Sequence, residues 1–338
     1  MIALRHRPLD LHLRHTFRLS RGATDVRHNL LVELEHEGVV GLGEAAPIPR
    51  YGQDRDSSAR AAEAMAAAIE RPRAYAAELA RVAVDGEPAG VAAIDMALRD
   101  LAGKRLGAPL WELLGLDPRA TPPTSMTIGI GSPAEVVERV REAGDFEVLK
   151  IKLGSADDRA MLEAIRDVTD QRLRVDANEG WTLAEAVANF EWLERLGVEM
   201  IEQPLPADRI DEHRELRRRS RLPIFADESL HRAADLPAIA TAFDGINVKL
   251  MKCGGIGEAL RLFAVARAHG LELMLGCMVE SSLAITAAAQ ISPLVDHADL
   301  DGALLVADDP FLGAVVERGR IVLPEGPGLG VTERSAAG

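Results

Sequence analysis

The sequence predicts a (β/α)7β modified TIM barrel, an α/β fold, with an α+β capping domain built from both ends of the chain. Three observations predict it: a short branched-apolar run recurs eight times between residues 124 and 305, an amphipathic stretch follows each of the first seven, and 338 residues suit one barrel with an attachment. The runs are TSMTIGI (124–130), VLKIKLG (148–154), RLRVDAN (172–178), VEMIEQP (198–204), LPIFADES (222–229), GINVKLM (245–251), LELMLGCM (271–278) and HADLDGALL (297–305). They begin about 25 residues apart, the length of one strand, two loops and one helix. No clear helix follows the eighth. A doubly wound open sheet would alternate similarly, but no GxGxxG follows the first run.

Residues 1–120 read as the cap. Strand-like runs at 29–35 and 39–43 flank a Glu37-Gly38 turn, and alanine-rich helical patterns follow at 55–70 and 91–104. Pro109 and the TPP at 121–123 mark the boundary, so the barrel occupies residues 121–305. After it, VVERGRIVLP reads as a hairpin turning at Arg318-Gly319, and residues 306–338 are expected to pair with the N-terminal meander and complete the cap.

Composition narrows the class. Lys and Arg total 39 against 53 Asp and Glu, a net charge of −14, which argues against a nucleic-acid binder. Charges interrupt every apolar segment before the 18 or so residues of a membrane span, and the amino terminus, alternating apolar and basic residues, has no secretory apolar stretch. Cys253 and Cys277 form no CxxC, so a reducing cytoplasm is expected. With 4% aromatic residues the core must come from small and branched side chains.

Barrel enzymes carry their reactive groups at the carboxyl ends of the strands. Here those ends hold Lys150 and Lys152 (second), Asp176 (third), Glu202 (fourth), Asp227 (fifth), Lys249 (sixth), and Asp299 with Asp301 (eighth). Three carboxylates on consecutive strands make a hard-oxygen site that suits Mg²⁺. Lys152 and Lys249 flank them, one on each face of a metal-held substrate, and Lys150 beside Lys152 is expected to lower its pKa toward a usable base. Lys252 is a rival for the second base, set toward the loop glycines. Asn178 either supports a metal ligand or caps the next helix. Five histidines, at 6, 12, 15, 28 and 36, have no metal spacing and read as surface residues.

KIK (150–152), VDANEGW (175–181), IEQPLP (201–206), ADES (226–229) and NVKLMKCGG (247–255) together resemble the enolase superfamily, muconate-lactonizing subgroup. FRLSRG (17–22) and GLGEAAPIPRYG (41–52) resemble that subgroup's capping loops. The resemblance implies one Mg²⁺ per subunit on Asp176, Glu202 and Asp227, with Lys152 and Lys249 as acid/base pair around an enediolate. Muconate cycloisomerases, o-succinylbenzoate synthases, N-acylamino acid racemases and dipeptide epimerases share that set. DLDG (299–302) resembles the DxD by which dipeptide epimerases hold the substrate α-ammonium, here through Asp299 and Asp301. The implied reaction is epimerization of a dipeptide at its C-terminal α-carbon, with L-Ala-D/L-Glu of peptidoglycan turnover the first candidate. The other subgroup activities, and a noncatalytic barrel binding small amino-acid derivatives, remain alternatives. Arg21 resembles the loop arginine that meets a glutamate side chain, GCMVESS (276–282) resembles a segment in which Cys277 and Met278 border the substrate, and Thr127 and Lys150 complete the expected substrate wall. A homo-oligomer without nucleic-acid or membrane partners is expected.

Overall fold

The computed structural model describes residues 2–19, 22–82 and 87–334. The chain opens with three antiparallel strands, β1 (Ala3–Leu19), β2 (Gly22–His36) and β3 (Val39–Ala45), in the order β1-β2-β3. β1 is the alternating amino-terminal stretch: Leu9 and Leu11 point inward while Pro8, Asp10 and His12 are exposed. Glu37 (φ 54°) and Gly38 (φ 77°) make the primed turn that the twist of a two-residue hairpin requires.

Helices α1 (Arg55–Ala68) and α3 (Pro88–Leu106) pack on this sheet, α2 (Tyr75–Arg81) packs against α3, and α4 (Leu110–Leu113) leads out of the cap. α3 approaches β3 almost backbone to backbone. A Cβ on Gly41 would stand 2.0 Å from the Ala97 carbonyl oxygen, and one on Gly43 1.9 Å from that of Ala93. Glycine on the strand and fully buried Ala89, Ala92, Ala93 and Ala97 on the helix thus close the cap core without aromatic filling.

Eight strands form the barrel: β4 (Ser125–Ile128), β5 (Val148–Lys152), β6 (Arg172–Asp176), β7 (Val198–Glu202), β8 (Ile224–Ala226), β9 (Gly245–Lys249), β10 (Glu272–Gly276) and β11 (His297–Asp299). They lie parallel and in chain order, and a bridge from Thr124 to Ala298 joins first to last. Outside run α5 (Pro133–Ala143), α6 (Asp158–Arg166), α7 (Leu183–Arg195), α8 (Ile210–Arg219), the single turn α9 (Leu236–Ile239), α10 (Leu250–Cys253), α11 (Ile256–Ala268) and α12 (Ser282–Ala289). β11 is followed by a 3₁₀ turn at Gly302–Leu305 in place of an eighth helix, as the (β/α)7β pattern requires. The barrel floor departs from the expected branched packing. Met200, Phe225 and Met274 form their own cluster there, with Gly245 leaving room for the Phe225 ring, which a Cβ would meet at 2.3 Å.

The C-terminal segment meets the meander at Val306–Ala307 and through the Arg7–Glu333 ion pair, as expected, but its hairpin does not. Its hairpin, β13 (Val315–Glu317) with β14 (Arg320–Val322), does form, but it seats under the barrel instead of pairing with the meander: Thr124 N–H donates to the Gly319 carbonyl at 2.8 Å and Arg320 meets Glu147. The meander is reached by the chain just before it, through the Leu13–Val306 bridge and the Ala307 N–H bonded to the His12 carbonyl. The short strands β12 (Phe311–Leu312) and β15 (Thr332–Glu333) pair with each other. A hairpin sequence specifies its own turn and register, not the surface that receives it.

Candidate active site

Register decides which side chains share the barrel mouth. Lys152 pairs with Asp176 and Asp176 with Glu202, which sets those three at one level, while Gly276 pairs with both Lys249 and Asp299 on the far side. Asp227 follows β8 and is aimed inward because the Gln203 side-chain carbonyl accepts its N–H at 2.9 Å. One ligand oxygen from each of Asp176, Glu202 and Asp227 then lies within 4.8 Å of the others, and all three residues are buried. Opposite ligands around Mg²⁺ are about 4.2 Å apart, at about 2.1 Å per bond, so the spread matches that ion.

Lysines interleave with the acids. Lys150, 2% exposed, reaches Glu202 and Asp299 at 2.7 Å and Asp176 at 3.1 Å. Lys152 binds Asp176 at 2.6 Å, Lys249 binds Asp227 at 2.9 Å, and Lys252 also meets Asp227 from behind. Lys152 and Lys249 line the cavity at the mouth; Lys252 lines a different one, between α3 and α11. Asn247 donates to Glu202 at 2.8 Å, and the Asn178 N–H donates to Asp176 at 2.9 Å while its amide donates to Glu228. Asn178 therefore holds Asp176 in place from a left-handed backbone (φ 44°), and Thr182, not Asn178, caps α7.

Charge is unevenly matched. Burial and Asp176 push Glu202 up to about 8, despite Lys150. Burial opposes ionisation of Asp227 too, but Lys249 and Lys252 hold it well below the ordinary carboxylate range. An acid left with a raised pKa between two ionised neighbours marks a site short of positive charge, which a divalent cation would supply. Burial likewise disfavours charged Lys150 and Lys249, yet the surrounding carboxylates outweigh it and raise both. This corrects the expected role of Lys150 as a repulsive neighbour: its position makes it first a counter-ion to three acids.

Asp299 ends β11, whereas Asp301 lies beyond the strand as N-cap of the 3₁₀ turn, so the two aspartates are not on one strand as expected. Both still line the cavity. Asp299 accepts from Lys150 and from the Ser125 hydroxyl at 2.6 Å, and Lys150 and Lys152 help overcome its burial and lower its pKa. Asp301 accepts the Thr127 N–H at 2.6 Å, and burial with the Asp299 charge pushes it up to about 6. Cys277 and Met278 line the same space; burial pushes the Cys277 thiol far above its usual value, which makes it a wall residue and no nucleophile. Arg21 lies outside the described residues.

The cavity is about 300 Å³. Its other wall comes from the cap: Phe17, Ala23, Thr24 and Arg27 of the β1–β2 hairpin, and Ile48, Arg50 and Tyr51 beyond β3. Gln203, Asn247 and Ser125, which position the acids, escaped the sequence reading because polar residues in loops or strands carry no periodic signal. Among the histidines, His36 is buried at 8% exposure, contrary to expectation, and burial lowers its pKa.

Residues 2–115 match the mandelate racemase / muconate lactonizing enzyme N-terminal domain, and residues 133–337 match the enolase C-terminal domain-like family. The chain belongs to the enolase superfamily. Within this superfamily it is 43% identical over 333 residues to the L-Ala-D/L-Glu epimerase of Bacteroides thetaiotaomicron, covering 96% of this chain and 86% of that one. It is 41% identical to the hydrophobic dipeptide epimerase of Roseobacter litoralis, covering 94% of this chain and 95% of that protein. Its fold superposes on the dipeptide epimerase of Enterococcus faecalis, solved with Mg and L-Leu-L-Tyr, with a TM-score of 0.92 at 32% identity, covering 98% of this chain and 99% of that one. As a superfamily member with epimerase relatives, the chain is an isomerase, and its buried acidic trio is suited to Mg²⁺, the ion with which that relative was solved.

Proposed function

We propose that this enolase-superfamily barrel is a Mg²⁺-dependent dipeptide epimerase, with L-Ala-D/L-Glu the first substrate to test. The observation that carries the reading is the pairing of two anionic subsites at one cavity: the metal-suited trio Asp176, Glu202 and Asp227, of which Asp227 lines the cavity, and across the mouth Asp299 with Asp301, which both line it. A dipeptide main chain carries one terminal carboxylate and one terminal ammonium, one for each subsite. Bound Mg²⁺ would hold the C-terminal carboxylate and stabilise the negative charge that develops on it as the α-proton leaves.

This chain's residues supply the rest. Asp301, with Asp299 behind it, receives the ammonium and fixes the peptide's direction. Lys152 and Lys249 then stand on opposite faces of the C-terminal α-carbon; the neutral amine removes the proton from one face and the opposite ammonium returns one to the other, inverting the centre. Lys150 helps keep Asp299, Asp176 and Asp227 ionised, and the cap hairpin excludes water. We take the cap as residues 1–120 and 306–338 around a barrel of 121–305, and read the protein as a cytoplasmic homo-oligomer acting in peptidoglycan turnover. Among the described residues no helix is long and apolar enough to cross a membrane.

The test is α-proton exchange in deuterium oxide with Mg²⁺, followed by proton NMR for L-Ala-L-Glu and its N-acetyl derivative. Exchange from the free dipeptide, lost on acetylation, is the expected result. Equal exchange from both would assign an N-acylamino acid racemase instead, and exchange from neither removes the epimerase reading.

A further inference from the structure

Five cations line the cavity: Arg27, Arg50, Lys150, Lys152 and Lys249. Four have carboxylate partners. Arg50 meets Glu179, Lys150 meets Asp176, Glu202 and Asp299, Lys152 meets Asp176, and Lys249 meets Asp227. Arg27 has no acid partner among the described residues, and its Nε is buried without a hydrogen bond. Burial lowers its pKa below the ordinary arginine value with no neighbouring carboxylate to offset the effect. A guanidinium carries five donors in a fork that fits a carboxylate, and leaving it half-buried and unpaired is costly unless an anion arrives.

Its position says where that anion would lie. Arg27 sits on β2 opposite Leu11, and two residues further Asn29 donates to the Val279 carbonyl at 3.3 Å. Strand alternation puts Arg27 and Asn29 on the same face, turned toward the loop after β10. The cavity also offers apolar surface in Phe17, Ile48, Val279 and Leu305, and its other cap cation, Arg50, is already paired with Glu179. In the proposed substrate pose both main-chain charges already have partners on the barrel, so the group facing the cap is a side chain.

We infer that Arg27 is a specificity-determining residue that receives a side-chain carboxylate, making the preferred substrates dipeptides whose C-terminal residue is acidic. The methylenes of that residue lie against the apolar wall. This assignment rests on the epimerase reading, and it is separate from the loop position Arg21. It also separates this chain from a hydrophobic dipeptide epimerase, whose substrate side chain would strand the guanidinium.

The test compares kcat/KM for L-Ala-L-Glu with that for L-Ala-L-Gln, a neutral isostere, in the wild type, Arg27→Gln and Arg27→Lys. The wild-type ratio is expected to favour Glu by about 10- to 100-fold, the range of a charge-assisted hydrogen bond in a partly dry site, with L-Ala-L-Lys poorer still. Arg27→Gln should bring the ratio near unity, and Arg27→Lys should restore part of it. The ratio is internal to each preparation, so partial misfolding does not move it. A wild type that prefers Gln, or a ratio unchanged in Arg27→Gln, overturns the assignment while dipeptide exchange leaves the epimerase reading standing. Exchange from no dipeptide overturns both.

Discussion

Asp301→Asn isolates the ammonium subsite. The substitution is isosteric, and the amide oxygen can still accept the Thr127 N–H now bound at 2.6 Å, so the hairpin of contacts around it survives. What changes is charge. Asp299 is already matched by Lys150 at 2.7 Å and by Ser125 at 2.6 Å, which leaves Asp301, only 3% exposed, as the carboxylate available to a ligand. Losing one charge-assisted hydrogen bond there costs about 1.5–3 kcal/mol, or roughly 10- to 150-fold in kcat/KM. The pH dependence gives an independent reading. Burial and the Asp299 charge push Asp301 up to about 6, so it is ionised and binding-competent above that pH and neutral below it. Wild-type KM should therefore rise about tenfold per unit below pH 6, and the KM of Asp301→Asn should stay flat. Initial rates with L-Ala-L-Glu and Mg²⁺, followed by polarimetry between pH 5 and 8.5, measure both. An Asp301→Asn enzyme within about twofold of wild type at pH 8, or a wild-type KM that stays constant down to pH 5, would refute the ammonium role.

Three further outcomes are expected. Lys152→Ala and Lys249→Ala should each abolish epimerization while leaving deuterium exchange from one epimer; epimerization persisting in both would end the two-base scheme. Lys150→Met removes the shared counter-ion of three buried carboxylates and should cost about 3–5 kcal/mol in chelator, and less with saturating Mg²⁺, because a bound cation supplies the missing charge. Equal losses in urea melts with chelator and with Mg²⁺ would show that Lys150 does not play that part. Gly43→Ala should destabilise the cap by about 3 kcal/mol, since the new methyl would stand 1.9 Å from the Ala93 oxygen; an unchanged melting temperature would mean that α3 can withdraw freely.

The barrel and its acids were legible because a strand's end is marked twice, by the break in an apolar run and by the first polar residue after it. Asp176, Glu202 and Asp227 each carry that mark. Lys150 carried it too, but its purpose was misread, because its partner Asp299 is 149 residues away and comes near only when the barrel closes. The seat of the C-terminal hairpin was illegible for the same reason: it depends on Gly319 and Arg320 finding Thr124 and Glu147, a match with no local signature. Arg27 could not have been singled out from sequence. Arginine is common in this chain, and what distinguishes this one among the cavity's cations is that no acid among the described residues lies beside it in space.

The cavity wall has two authors. Proton chemistry is written on barrel strands whose register locks Lys152, Asp176 and Glu202 together, so any shift of one displaces its neighbours. The facing wall hangs from a hairpin and a loop outside the barrel sheet, tied to the chain at its mouth only locally, through the Leu13–Val306 bridge and the Ile130 N–H bonded to the Arg18 carbonyl. Phe17, Thr24, Arg27 and Ile48 can therefore be exchanged while the proton-transfer apparatus stays put. Directed evolution confined to those four positions should move this scaffold among acidic, apolar and basic dipeptides, with turnover inherited intact.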